Sequence, residues 1–349
     1  MFRDVNSKEC PVPTNAPTVA DLDEKSLLAL IFPRLGPDTA LLGPGDDAAV
    51  IAAPDSRTVI SIDTLVQDAD FRLVWPSGYR TTGFDVGWKC IAQNVSDVRA
   101  MGAVPTSLVV SLTLPGSTEV QWVEDLADGL AAAIASLASE RCSVVGGDLG
   151  RGNQIVVTAA VTGDLEGRAP VLRSGARPGD VLAHIGALGL AAGGLAVLES
   201  GFDMTDPEKD DDRELAALAM AQCRPQLPPA HSGPAAADAG ATAMLDVSDG
   251  LVRDAGRIAR ASGVGIDLDA GYLRAKASPL APAAARLGAD PLTWVLGGGE
   301  DHGLLAAFPP EAVLPQGFVR LGEVVAGEAV TFGGAVPPAT GWDHFAGQL

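Results

Sequence analysis

Carboxylates delivered by glycine turns and strand ends are the residues in this sequence most able to do chemistry. Gly43-Pro44-Gly45-Asp46-Asp47 places two adjacent aspartates just before the apolar run Ala48 to Ile51. Two carboxylates that close raise each other's pKa unless a cation stands by, so the pair is either part of a metal site or a solvated turn built from ordinary turn formers. Asp63, Asp97, Asp148, Asp246 and Asp249 come from separate segments, and nearly all of them sit where a fold can gather side chains into one cleft. Magnesium suits such a cleft, because it takes oxygen ligands, keeps several waters and bridges carboxylates to substrate phosphates. Calcium suits it less, since no Asp-x-Asp-x-Asp-Gly loop is present. Any one of these aspartates could instead cap a helix or tighten a turn; all of them together make that reading weaker.

The elements that must position them follow from periodicity. Residues 21–35 carry apolar positions near helical spacing, with Asp21 as cap, and Thr58 to Val66 is a β-branched strand holding Asp63. Phe84 to Met101 reads as a helix that turns Lys89, Gln93, Ser96 and Asp97 toward one surface, with Asn94 and Asp97 three apart and able to meet. A strand over 108–114, a helix over 120–139, a strand over 142–145 ending in Gly146-Gly147-Asp148 and a strand over 155–161 come next. Val181 to Leu198 is weakly apolar and broken by glycines, so it reads as strand, turn and buried helix rather than a membrane span. Asp203 to Glu214 reads as a solvated loop leading into a helix. Ala243 to Leu251 is a strand giving way to an Asp-Val-Ser-Asp turn, with a helix running to about Ala261. Leu296-Gly297-Gly298-Gly299-Glu300-Asp301 is a triple-glycine turn before the apolar run Leu304 to Phe308. The pattern predicts two α/β domains over 21–167 and 168–349 behind a loose leader over 1–20, with the boundary near Arg168.

Composition narrows the function. A formal charge of -20 with no basic run argues against a protein that binds nucleic acid or membrane surfaces through phosphate neutralisation, so an anionic ligand would need metal ions between it and the chain. Cys10, Cys90, Cys142 and Cys223 have no Cys-x-x-Cys spacing and read as reduced thiols of a cytoplasmic protein. His184, His231, His302 and His344 are isolated in sequence and read as packing or surface residues. The Gly-x4-Gly-Lys-Ser/Thr loop, the dinucleotide-binding glycine turn and the Gly-x-Ser-x-Gly elbow are all absent, so nucleotide binding, if present, uses another design.

Eight blocks, in order and spacing, resemble thiamine-monophosphate kinases. They are Gly43 to Ala49, Ser61 to Val66, Gln93 to Asp97, Met101 to Ala103, Gly146 to Asp148, Arg173 to Ala176, Leu245 to Leu251 and Gly298 to Asp301. The resemblance implies the two-domain fold of aminoimidazole ribonucleotide synthetase, an N-terminal domain that pairs in a homodimer, and a C-terminal α/β domain that closes the cleft. It also implies magnesium-dependent transfer of the γ-phosphoryl group of ATP to thiamine monophosphate, and it leaves a role for potassium open. On this likeness Asp47, Ser61, Ile62, Asp63, Asp97, Asp148, Asp246 and Asp249 are the metal positions, with Asp97, Asp148 and Asp249 closest to the reaction. Gly147, Asp148, Arg173 and Ser248 match the ATP-contacting positions, and Asp70, Glu300 and Trp342 match those that hold thiamine monophosphate. The chain departs from the family pattern twice. Ile62 replaces a Thr or Ser beside the metal, so only its carbonyl could serve, and Asp70 replaces a His that touches substrate. The alternatives implied are a catalytically silent thiamine-phosphate binder or a related ATP-using enzyme with another substrate.

Overall fold

The computed structural model describes residues 16–36, 40–41, 51–204 and 213–342. Asp46 and Asp47, most of the leader, most of the acidic 203–214 segment and His344 therefore lie outside the described residues.

The first half builds α1 (Glu24–Ile31), β1 (Val59–Val66), α2 (Gly83–Ala100), β2 (Val104–Leu114), α3 (Val120–Leu137), β3 (Ser143–Arg151) and β4 (Val156–Asp164). Among the described residues its four strands form one sheet in the order β1-β4-β2-β3, with β2 and β3 parallel and the other pairs antiparallel. Strand alternation sends Leu65, Leu108, Val110, Leu112, Val157, Ala159 and Val161 to one face, where they share a core with Val86, Cys90, Val95 and Val98 of α2 and Leu126 and Leu130 of α3. The other face carries Ile60, Ile62 and Val109, which are 70%, 63% and 43% exposed.

The second half builds β5 (Val181–Ile185), α4 (Leu190–Glu199), α5 (Arg213–Cys223), α6 (Ser232–Asp238), β6 (Ala243–Asp246), α7 (Leu251–Ser262), β7 (Gly265–Leu268), α8 (Ala270–Ala277), α9 (Ala281–Leu287), α10 (Pro291–Gly297), β8 (Leu304–Phe308), β9 (Val319–Val325) and β10 (Val330–Phe332). Its sheet runs β10-β7-β9-β5-β8-β6 and is covered on both faces. In β8, Leu305 and Ala307 feed the larger core while Leu304, Ala306 and Phe308 feed a smaller one behind it, the period-2 signature of a strand buried on two sides. Arg168 lies in the link between β4 and β5. No helix among the described residues is long and apolar enough to cross a membrane.

Three local expectations differ from the structure. The cap of α1 is Asp23, which accepts from Ser26 N at 2.8 Å, whereas Asp21 closes a short 3-10 turn by accepting from Thr18. Asn94 does not reach for Asp97; its amide donates to Cys90 O at 2.9 Å inside α2 and is fully buried. Gly146-Gly147-Asp148 is not a strand end, because β3 continues through it to Arg151. The glycines serve a register shift opposite Leu108 and Val109, and a Cβ on Gly147 would stand 2.2 Å from Val110 O.

Candidate active site

Helix α2 joins the two halves. Thr82 and Asp85 start it as a reciprocal capping box, Asp85 accepting from Thr82 N at 2.8 Å and Thr82 Oγ1 from Asp85 N at 3.3 Å. Its apolar stripe packs on the first sheet, while residues at helical spacing on another stripe bind the second domain. Asp85 accepts from Arg224 Nε at 2.6 Å, Trp88 Nε1 donates to Pro225 O at 2.9 Å, and Arg99 Nη1 donates to Pro228 O at 2.9 Å. Between them, Lys89 pairs with Glu300 at 2.6 Å and Ser96 Oγ donates to Asp246 Oδ2 at 2.8 Å. Next to Ser96, Asp97 accepts from Ser61 Oγ of β1 at 2.5 Å.

Two second-domain loops meet this helix and are stitched to each other. Val247 N donates to Gly303 O at 2.7 Å, His302 N to Val247 O at 3.0 Å, and Glu300 N to Ser248 O at 2.8 Å. Glu300 and His302 adopt φ of 65° and 51°, left-handed values that non-glycine residues rarely take and that cluster at functional sites. Asp301 between them points away and accepts from Gly189 N at 2.5 Å and Ala191 N at 2.9 Å, tying the loop to the start of α4. The Asp246 to Gly250 turn is shaped by fully buried Asp254, which accepts from Ser248 N at 3.0 Å and Asp249 N at 2.9 Å. Arg257 donates to Asp254 at 2.6 Å and forms a short ion pair with Asp249.

Burial and the neighbouring Asp97 and Asp246 carboxylates push the Asp63 pKa up to about 7. Asp97 is likewise raised, by burial and by Asp246, against a lowering from its Ser61 hydrogen bond, His302 and Arg173. Burial would also raise Asp246, but hydrogen bonds from His302 and Ser96 outweigh it and leave its pKa below the usual range. Three acids from β1, α2 and β6 therefore feel one another across the domain junction. No group of three His, Cys, Asp or Glu side chains among the described residues stands ready as a complete metal cage. Magnesium commonly takes one or two carboxylates and fills its remaining positions with waters and substrate phosphates. The crowding of like charges is what a bound cation would relieve, so the donor set fits a magnesium site.

The AIR synthase related protein family models match the chain twice, the N-terminal domain over residues 45–165 and the C-terminal domain over 177–332. A thiamine-monophosphate kinase of Mycobacterium tuberculosis is 44% identical over 326 residues, covering 93% of this chain and 92% of that one. The chain belongs to the thiamine-monophosphate kinase family. Among solved structures, AaThiL complexed with AMPPCP and TMP superposes with a TM-score of 0.71 at 30% identity, covering 97% of this chain and all of that chain. The thiamine monophosphate kinase of Aquifex aeolicus gives a TM-score of 0.69 at 31% identity, covering 81% and 90%. The two-domain AIR synthase-like fold is thus the fold of this family member.

The positions that the thiamine-monophosphate kinase likeness marks are not all gathered in one place. Ser61, Asp63, Asp97 and Asp246 converge, and Arg173 lies near enough for its charge to lower the pKa of Asp97 and Asp246. Ser248 and Asp249 occupy the adjoining turn, and Trp342 N donates to Asp249 O at 2.9 Å, which brings the half-exposed Trp342 ring to the same edge. Glu300 is held between Lys89 and Gln222 Nε2, the latter at 2.5 Å. Asp70 Oδ2 accepts from Val66 N at 2.7 Å, and Asp70 lines a narrow cavity with Lys89 and Gln222. Asp148 stands apart. It pairs in register with Ser111 on the exposed face of β3, opposite to the face from which Asp63 meets α2. β1 and β3 are the two edges of the sheet, three strand spacings or about 14 Å apart. Gly147 shares that edge strand, and the Ile62 side chain points to the same open face, away from Asp63. Asp47 lies outside the described residues.

Sequence reading took His302 for a packing or surface residue, whereas its buried ring bonds Asp246, and it passed over Asp254 and Arg257, which shape the Asp249 turn. The one local signal for His302 is its place directly after Gly298-Gly299-Glu300-Asp301.

Proposed function

We propose that this chain transfers the γ-phosphoryl group of ATP to the phosphate of thiamine monophosphate, giving thiamine diphosphate and ADP. The observation that carries the reading is the junction at which Asp63 and Asp97 of one domain face Asp246 of the other, in a chain aligned along most of its length with thiamine-monophosphate kinases. In this reading Asp63, Asp97 and Asp246, with Ser61 hydrogen-bonded to Asp97, hold magnesium, and Asp249 joins them once released from Arg257. Bound magnesium supplies charge neutralisation between two phosphate-bearing reactants and orients them.

The chain's own residues then have separate tasks. The attacking phosphate oxygen is already ionised near neutral pH, so no general base is needed; one P–O bond forms as the bond to the ADP oxygen breaks, without a phosphoenzyme. The barrier is anion–anion repulsion, which positioning and electrostatics lower. Exposed Arg173 is the cation available to nucleotide phosphates beside Asp97 and Asp246. Glu300, fixed by Lys89 and Gln222, offers a carboxylate to the cationic thiazolium, and Trp342 offers a ring face. Asp70 spends one oxygen on the Val66 amide, which orients its carboxylate within its own turn.

The protein is further proposed to work in the cytoplasm as a homodimer paired through the open face of the first sheet. The test mixes protein, magnesium, ATP and thiamine monophosphate and follows thiamine diphosphate and ADP. Equimolar formation of both supports the reading, and binding of thiamine monophosphate without product points to a silent binder.

A further inference from the structure

We infer that His302, together with Ser96, is a positioning residue that presents Asp246 to a divalent cation through a single oxygen. This rests on the reading of Asp246 as a metal ligand and extends it to two side chains to which the motifs assign no role. Asp246 Oδ2 accepts from Ser96 Oγ at 2.8 Å and faces His302 Nδ1 at 3.1 Å, while Oδ1 accepts no hydrogen bond among the described residues. The two donors come from different domains, Ser96 from α2 and His302 from the loop after Glu300, so the Asp246 carboxylate is pinned where those domains meet. Ser96 also lies 2.8 Å from Gln93 O and has only one proton to give. His302 is the less divided donor. Its Nε2 is buried with no partner, which places the ring proton on Nδ1, toward Asp246. The backbone supports this placement, since His302 holds a left-handed φ of 51° while its N–H bonds Val247 O at 3.0 Å. Hydrogen bonds to one oxygen of a ligating carboxylate fix its rotation and direct the other oxygen, and loss of such partners typically weakens metal binding or activity 10–100-fold.

The experiment titrates the full chain with Mn²⁺, followed by its electron paramagnetic resonance signal without nucleotide, and compares wild type with His302→Ala, His302→Asn, Ser96→Ala and Asp246→Asn. Asn keeps a donor near the position of Nδ1 and tolerates the left-handed backbone. His302→Ala is expected to weaken Mn²⁺ binding about 10–100-fold and to raise the half-saturating magnesium concentration by a similar factor. The KM for thiamine monophosphate is expected to stay within about twofold, and His302→Asn to recover most of the lost cation affinity. Ser96→Ala is expected to shift affinity in the same direction by less. Wild-type Mn²⁺ affinity in His302→Ala overturns the inference, as does a His302→Asn variant as impaired as His302→Ala, because the ring would then be filling space. Should His302→Ala fail to fold, wild-type affinity in Ser96→Ala or lost affinity in His302→Asn overturns it. Mn²⁺ binding that ignores Asp246→Asn removes the metal ligand itself and the inference with it. Binding that obeys the whole series while no thiamine diphosphate forms retains the positioning role and rejects only the proposed reaction.

Discussion

A carboxylate buried among carboxylates prefers to keep its proton, and that preference gives the site a pH signature. Asp63 is raised to about 7 by burial and by Asp97 and Asp246, against about 3.9 in an unfolded chain. The folded state therefore binds more protons, so this contribution to stability is fully present below the unfolded pKa and is lost as pH rises through about 7. Asp254, raised to about 7 by burial, and Asp301, raised to about 6 by burial, act in the same direction. The metal-free protein should melt at lower temperature at pH 8 than at pH 5.5, and magnesium should recover more of the loss at pH 8. Calorimetry of wild type and Asp63→Asn checks this, the variant showing a flatter pH profile and a smaller magnesium response; equal responses at both pH values would count against the shared cation site. At the same scale, Asp97→Asn should cut turnover by at least about 10–100-fold with the fold retained, and near-normal rates at limiting magnesium would reject its assignment. Asp148, Asp246 and Asp249 were legible in the sequence because each stands beside a glycine or ends a strand, Asp63 because it sits in a β-branched run, and Asp97 because helical spacing put it on the polar stripe of α2. His302 was not, since its partners Ser96 and Asp246 lie 206 and 56 residues away and nothing local marks the pairing.

Helix α2 was legible as a helix from its apolar spacing, yet the use of its polar stripe as the seam between domains depends on partners the sequence does not place. Its contact with α3 is unusually close, since a Cβ on Gly87 would stand 2.3 Å from Leu126 O. Gly87→Ala should therefore force the helices apart and destabilise the chain by at least about 1–3 kcal/mol despite Ala's better helix propensity, measured by urea unfolding. Unchanged stability would mean the contact between α2 and α3 is loose. Lys89 tests the domain junction. It is 4% exposed and serves both Glu300 and Asp70 O, at 2.6 and 3.1 Å. Lys89→Met leaves the Glu300 carboxylate without its cation and should cost about 2–4 kcal/mol, less than a fully buried pair because Glu300 remains partly open to solvent. A rise in the KM for thiamine monophosphate larger than that for ATP is the expected kinetic trace. The misread strand has an equally physical cause: two successive glycines look like a stop, but β3 uses them to pass a register shift beside β2.

For the whole molecule, the order of motifs made two domains legible, while the use of the first sheet's second face could not be read from one chain. That face displays Ile60, Ile62 and Val109, and in-register neighbours place Thr64, Thr158, Ser111 and Asp148 in a row across it. An apolar sheet face left to water is a liability that another surface normally covers, and a second copy of the same face is the simplest cover. Asp148 gives that pairing a functional edge. Within the chain its carboxylate lies on the face opposite Asp63, so its part in the chemistry requires either a substrate long enough to pass the sheet edge or a site completed by assembly. Ile62→Lys introduces a charge on the open face along the β1 edge without touching Ser61 or Asp63, whose side chains point the other way. Light scattering after size exclusion should find wild type at twice the chain mass and Ile62→Lys at the chain mass, with an unchanged far-ultraviolet circular dichroism spectrum. If assembly completes the site, the monomeric variant should lose turnover together with Asp148→Asn, and combining the two changes should cost little more than either alone. A monomeric wild type, or a fully active Ile62→Lys monomer, would rule out a site completed by assembly and leave Asp148 only the route past the sheet edge.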